Sequence, residues 1–214
     1  THVLVNQVGY DRGAPKILLI QSDADLPARF AVVDSNNAVV FEADLTPAGR
    51  VVGAYGTDWG FDYAQGDFSA LDTPGTGYRA RVEVDGHATL SPPFAIGPDL
   101  LWRETAAYAL AFFYYQRCGF EIPGFHKACH LDDGVSEDRA RQHDLRGGWH
   151  DAGDYNKYQN APYVYGLARA YTWRRTAFDA LVPVAPGQQG YLDELRWGGQ
   201  HVLRMLAPDG YAYG

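Results

Sequence analysis

The sequence predicts a multidomain protein: an immunoglobulin-like β-sandwich at the N-terminus, followed by an all-helical domain. Three features predict it. Up to about residue 97, short runs alternate apolar and polar residues between clusters of Asn, Asp, Gly and Pro, the period-two pattern of antiparallel strands. Beyond that point, long runs rich in Ala, Leu and aromatic residues replace them, the texture of helices. Between the first two helical runs lies a segment without periodicity, 119–160, rich in His, Asp and Gly; structureless stretches of that length in compact domains are usually functional.

The strand pattern is carried by THVLVNQVGY, PKILLIQS, ARFAVVDSNNAVVFEADL, GYRARVEVDG and SPPFAIG. Ser35, Asn36 and Asn37 fall between two apolar runs and read as a hairpin turn. Roughly seven short strands without a cysteine fit an immunoglobulin-type sandwich that lacks an inter-sheet disulfide, with a β-barrel as the competing arrangement. This domain is assigned to 1–97.

The second domain, 98–214, opens with LLWRETAAYALAFFYYQRCG, which has no glycine or proline before Gly119 and predicts a helix capped there. A second helix is predicted across YVYGLARAYTWRRTAF. A third covers YLDELRWGGQHVLRML, where Leu192, Leu195, Val202 and Met205 recur on one helical face. Three helices leave apolar faces without partners, so the domain is expected to be the incomplete front part of a longer one.

Composition narrows the function. With 46% hydrophobic and 21% charged residues the chain is an ordinary globular protein able to bury a core. A net charge of −8 and the absence of any Lys/Arg-rich run argue against a nucleic-acid partner. No apolar run is long enough for a membrane span, and a secreted or periplasmic location is expected. The 15 Tyr and 5 Trp make a high aromatic share; most are expected in the core, and rings beyond what a core needs suit the flat faces of sugars.

Cys118 ends the first helical run, Cys129 and His130 follow in ACH, and His150 stands in GWHD. Two thiols and two imidazoles are the donor types and number of a closed tetrahedral zinc site, although the spacing matches no zinc finger. Adjacent Cys129 and His130 can both ligate only where the backbone turns between them. The alternatives are a Cys118–Cys129 disulfide and two buried thiols with surface histidines.

Asp151 and Asp154 bracket a glycine in DAGD, a spacing that lets both carboxylates face one pocket and activate a water. Two other readings compete: calcium binding by an Asp-rich loop, and helix capping by Asp154.

The twelve residues GGWHDAGDYNKY, 147–158, resemble the signature of glycoside hydrolase family 9, the inverting cellulase family, which has the form Gly-Gly-Trp-(Tyr or His)-Asp-Ala-Gly-Asp. FFYYQRCG followed by HKACHLDD resembles the start of that family's catalytic domain, and LVNQVGY resembles the first strand of the immunoglobulin-like domain that precedes it in one branch. The resemblance implies that residues 98–214 are the first part of an (α/α)6 barrel of six helical hairpins. It implies that Asp154 is the catalytic base, that Asp151 helps to hold the attacking water, and that Cys118, Cys129, His130 and His150 bind a structural zinc. Calcium elsewhere in the domain is a further implication, with Asp132 and Asp133 as candidates. Trp149 could stack on a sugar, and Tyr155 and Tyr158 could hydrogen-bond substrate.

The implied activity is inverting cleavage of β-1,4-glucosidic bonds in cellulose or related β-glucans. The general acid in this family is a glutamate near the far end of the barrel, and none of Glu104, Glu121, Glu137 or Glu194 matches its context, so it is expected outside these residues. The expected partners are a β-glucan or oligosaccharide and the remainder of the catalytic domain. Exo-acting hydrolysis of glucosamine-containing or other short β-linked oligosaccharides is the alternative, as is a non-catalytic carbohydrate-binding role.

Overall fold

The computed structural model describes residues 1–53, 56–157 and 160–213. The chain divides into two compact units, Thr1–Glu104 and Thr105–Gly214.

The first unit holds β1 (His2–Leu4), β2 (Tyr10–Asp11), β3 (Ile17–Ser22), β4 (Arg29–Val33), β5 (Val39–Asp44), β6 (Thr46–Val52), β7 (Asp58–Asp67), β8 (Gly75–Val84), β9 (His87–Leu90) and β10 (Phe94–Gly97). One sheet has the order β1-β3-β7-β6; the other runs β2-β10-β8-β4-β5, with β9 also on β8. Two sheets share one core, so the sandwich forms and the barrel does not. Alternation in β3 turns Leu18, Ile20 and Ser22 inward, and Leu18 and Ile20 share one core with Phe30, Val32, Ala80 and Val82 from the second sheet. Each such apolar side chain removed from water contributes about 1.5–3 kcal/mol. The predicted hairpin joins β4 to β5: the Asp34 carboxylate accepts the backbone N–H groups of Asn36 and Ala38, and Asn37 takes the left-handed φ of 62°.

Three strands lie outside the segments read from the pattern: β6, β7 and the short β9. β7 is central to its sheet, yet it carries Gly60, Gly66 and several polar residues and so shows little alternation. Gly66 is required there because an added Cβ would stand 2.7 Å from the Phe30 ring and 2.9 Å from Leu18. The close approach of the two sheets removed the very side chain that would have marked the strand.

The helices are α1 (Leu100–Tyr115), α2 (Asn160–Asp179) and α3 (Tyr191–Arg204). Within the first unit the N-terminal turn of α1 is satisfied by Asp11, whose carboxylate accepts the Leu101 N–H at 3.0 Å. The helix ends at Tyr115 rather than running to Gly119. Instead of continuing, the chain turns and makes an isolated antiparallel bridge with 148–150: Cys118 N–H donates to the Gly148 carbonyl at 2.9 Å and His150 N–H to the Gln116 carbonyl at 2.8 Å. Gly119, at φ 74°, turns the chain after this bridge.

α2 departs from helical geometry at Arg174 and packs on α3 through Tyr191, which stacks on Tyr171 and donates its hydroxyl to the Leu167 carbonyl. The buried face of α3 is Tyr191, Glu194, Gly198 and His201. The predicted face of Leu192, Leu195, Val202 and Met205 is only partly buried. Hydropathy pointed to the wrong stripe because the residues that face inward are an acid, a glycine and a histidine. No helix among the described residues is long and apolar enough to cross a membrane.

Candidate active site and metal centre

The bridge between 116–118 and 148–150 brings the cysteine and histidine residues together. The Sγ atoms of Cys118 and Cys129 are 4.0 Å apart, Cys118 Sγ is 3.4 Å from His130 Nδ1, and Cys129 Sγ is 3.2 Å from His150 Nε2. All four donor atoms lie within 4.8 Å of one another. His130 has a φ of 50°, the sharp backbone turn that adjacent donors require. Both cysteines are free thiols, so the disulfide alternative is not what the structure holds.

The donors fit a four-coordinate zinc ion. Tetrahedral bonds of about 2.3 Å to sulfur and about 2.0 Å to nitrogen separate the donors by roughly 3.3–3.8 Å, close to the spacings found. Without a cation, burial pushes the Cys118 thiol up to about 12, and burial, aided by His126 and His130, pushes His150 down to about 4.

Asp151 follows His150 directly. It is half-buried, and its Oδ1 is buried without a protein partner. Asp154 is exposed and accepts from the Asn156 side chain at 2.7 Å, while Asp151 N–H donates to the Asn156 carbonyl at 2.9 Å. Asn156 thus ties the two ends of the acidic turn together. Asp154 caps no helix, since α2 begins only at Asn160.

Trp149 is not placed to stack on a sugar. It is 1% exposed, its Nε1 donates to Glu194 at 3.3 Å, its backbone N–H donates to Asn160 Oδ1 at 2.7 Å, and its ring meets Phe113 edge to face. The glycine before it is there because His201 and Asn160 crowd Gly148, where a Cβ would stand 2.6 Å from the His201 ring. Tyr155 is 38% exposed and sets its ring edge-on against His150 and His126. Tyr158 lies outside the described residues.

Asp133 is engaged by Lys157 in a partly buried ion pair. Among the described residues, Asp132 joins no group of potential ligands. Arg117 and Asn160 were not singled out from sequence, Asn156 and Lys157 stood in the 147–158 signature without a role, and Glu194 was weighed only as a general acid, because a lone charged or amide residue carries no spacing signal. A mostly apolar cavity of about 480 Å³ opens among Leu145, Lys157, Ala161, His201, Val202 and Met205, and neither motif aspartate lines it.

Comparison with known proteins agrees with the residues. The profile of glycosyl hydrolase family 9 matches residues 102–214, and that of the cellulase N-terminal immunoglobulin-like domain matches 1–87. A cellodextrinase of Butyrivibrio fibrisolvens is 32% identical over 90% of this chain, which covers 35% of it. Two solved structures superpose with a TM-score of 0.73 at 30% identity: a single mutant of the thermostable endoglucanase from Alicyclobacillus acidocaldarius, over 97% of this chain, and AaCel9A in complex with cellobiose-like isofagomine, over 98%. This chain covers 38% of each, so it spans little more than a third of these three relatives. With the family profile covering the helical segment and the acidic loop alike, the chain belongs to glycosyl hydrolase family 9 and comprises an immunoglobulin-like domain and the start of that family's helical domain.

Proposed function

We propose that the full-length protein is an inverting glycoside hydrolase acting on β-1,4-linked glucans, with Asp154 as the base and Asp151 as the second acceptor for the attacking water. The observation that carries this reading is the acidic turn itself: an exposed carboxylate at Asp154 and a buried, unpartnered oxygen at Asp151, joined through Asn156, in a chain of this family. Inversion requires a base carboxylate that holds a water on the face of the sugar opposite the acid, with about 6.5–9.5 Å between the two carboxyls. Glu194 is sealed in an ion pair with Arg117 and Glu121 pairs with Lys127, which supports an acid supplied from outside residues 1–214.

A zinc ion held by Cys118, Cys129, His130 and His150 would cross-link the exit of α1 to the loop and fix the backbone next to Asp151. Its role here is structural, and the protein's own carboxylates carry the proton transfer. A polymeric glucan does not pass a membrane, which favours a secreted or periplasmic enzyme.

Replacing Asp154 by Asn in the full-length protein is expected to lower turnover on soluble cello-oligosaccharides by about 10²–10⁴-fold with the fold intact, the usual worth of a general base. Near-normal hydrolysis, or a product of retained anomeric configuration by NMR, defeats the assignment. The relatives include both a cellodextrinase and an endoglucanase, so chain-length preference is to be read from the same assay.

A further inference from the structure

We propose that Arg117 and Glu194 are positioning residues for the acidic loop, acting through the Trp149 indole; this rests on the reading of Asp151 and Asp154 as the water-activating pair. Glu194 lies on the buried face of α3 and is wholly inaccessible. Its Oε1 is 2.9 Å from Arg117 Nη2, while its Oε2 accepts from Arg117 Nε and from Trp149 Nε1, both at 3.3 Å. Arg117 also pairs with Asp193 and lies over the Trp197 ring, whose Nε1 donates to the Gly148 carbonyl at 2.8 Å. The two residues therefore reach the motif at three places: the indole of Trp149, the carbonyl of Gly148, and the backbone bridge between Arg117 and Trp149. His150 and Asp151 are the next two residues along the chain.

Stability alone is a poor reason for this arrangement. Taking an arginine and a glutamate out of water offsets much of their mutual attraction, and apolar side chains of similar size would fill the space as well. Consistent with that, burial pushes the Glu194 carboxyl up and Arg117 pulls it back only in part. What a charged pair supplies and an apolar one does not is direction. An indole N–H aimed at a fixed carboxylate can occupy one orientation, and the ring's orientation sets that of the peptide carrying His150 and Asp151. Catalytic groups need to be held to about half an ångström, and a misplacement of about 1 Å can lower turnover about 100-fold.

The test is a double-mutant cycle in the full-length protein. Glu194→Met removes charge and acceptor at similar volume; Glu194→Gln keeps an acceptor for the indole; Trp149→Phe keeps a ring and removes its N–H. Glu194→Met is expected to lower kcat at least tenfold with KM within about twofold. Glu194→Gln recovers part of that loss, and adding Trp149→Phe to Glu194→Met lowers kcat no further, because both changes cut one link. Losses that multiply, a change in KM alone, or unchanged kcat in folded Glu194→Met overturns the proposal.

A crystal structure of Glu194→Gln against the parent supplies a readout independent of activity. In Glu194→Met, solved alongside, a shift of Asp151 by about half an ångström or more is expected, with a smaller one in Glu194→Gln, and an Asp151 unmoved in Glu194→Met refutes positioning. If the parent itself fails to hydrolyse glucans, or Asp154→Asn retains full activity, the reaction assignment falls while the structural comparison still decides whether the clasp sets the loop.

Discussion

Gly198 is the surface on which the Trp149 indole rests: a Cβ at Gly198 would come within 2.1 Å of the ring's Cη2 and 2.3 Å of its Cζ3. The next residue on α3, Gly199, has nothing within 4 Å of an added Cβ. Two adjacent helical glycines therefore differ completely in what they permit. Gly198→Ala is expected to destabilise the helical unit by about 1–3 kcal/mol through overpacking. Gly199→Ala is expected to stabilise it by about 0.5–1 kcal/mol through helix propensity. Denaturant unfolding of the two variants beside the parent reads both signs; equal effects would show that Trp149 does not press on α3.

Zinc should be measurable in the purified protein if the four donors hold it. Protein prepared without chelator is expected to contain about one zinc per chain, and Cys129→Ser markedly less. Chelation should lower the melting temperature of the parent more than that of the variant. Metal content near zero in both proteins, measured by atomic emission, sinks the zinc assignment.

His201 gives the helical unit a pH dependence. It is buried on α3 beside Gly148, and its pKa is lowered, first by burial and then by the Lys157 charge. With a folded pKa below the unfolded value of about 6.5, the unfolded chain takes up the proton first as pH falls. The stability held by neutral His201 is thus complete above about pH 6.5 and is lost below it. Replacement by Gln is expected to flatten the decline in melting temperature between about pH 6.5 and pH 5. A parallel decline in parent and variant would remove His201 as its source.

What sequence revealed and what it hid follow from different physics. Cys118, Cys129, His130 and His150 stood out because thiols and imidazoles are scarce and their chemistry does not depend on the fold; the structure then placed all four within 4.8 Å. The strands with inward-facing Leu18, Ile20 and Val32 were readable because one face meets the core and the other meets solvent. β7 was missed where glycine allows two sheets to approach, and the inward face of α3 was missed because Glu194, Gly198 and His201 owe their burial to partners far away in sequence. Trp149 was misread for the same reason. Its neighbours Asn160, Glu194 and Gly198 meet it only once α2 and α3 have packed.

The backbone bridge between 116–118 and 148–150 also has a consequence for loop length. Residues 131–146 leave and return between pinned ends, held among themselves by bonds such as His143 N–H to the Gly134 carbonyl and Ser136 N–H to the Arg141 carbonyl. Lengthening a loop whose ends are already fixed costs little, about 0.6 kcal/mol for each doubling. This lobe is therefore the part of the loop that can lengthen at least cost to the fold.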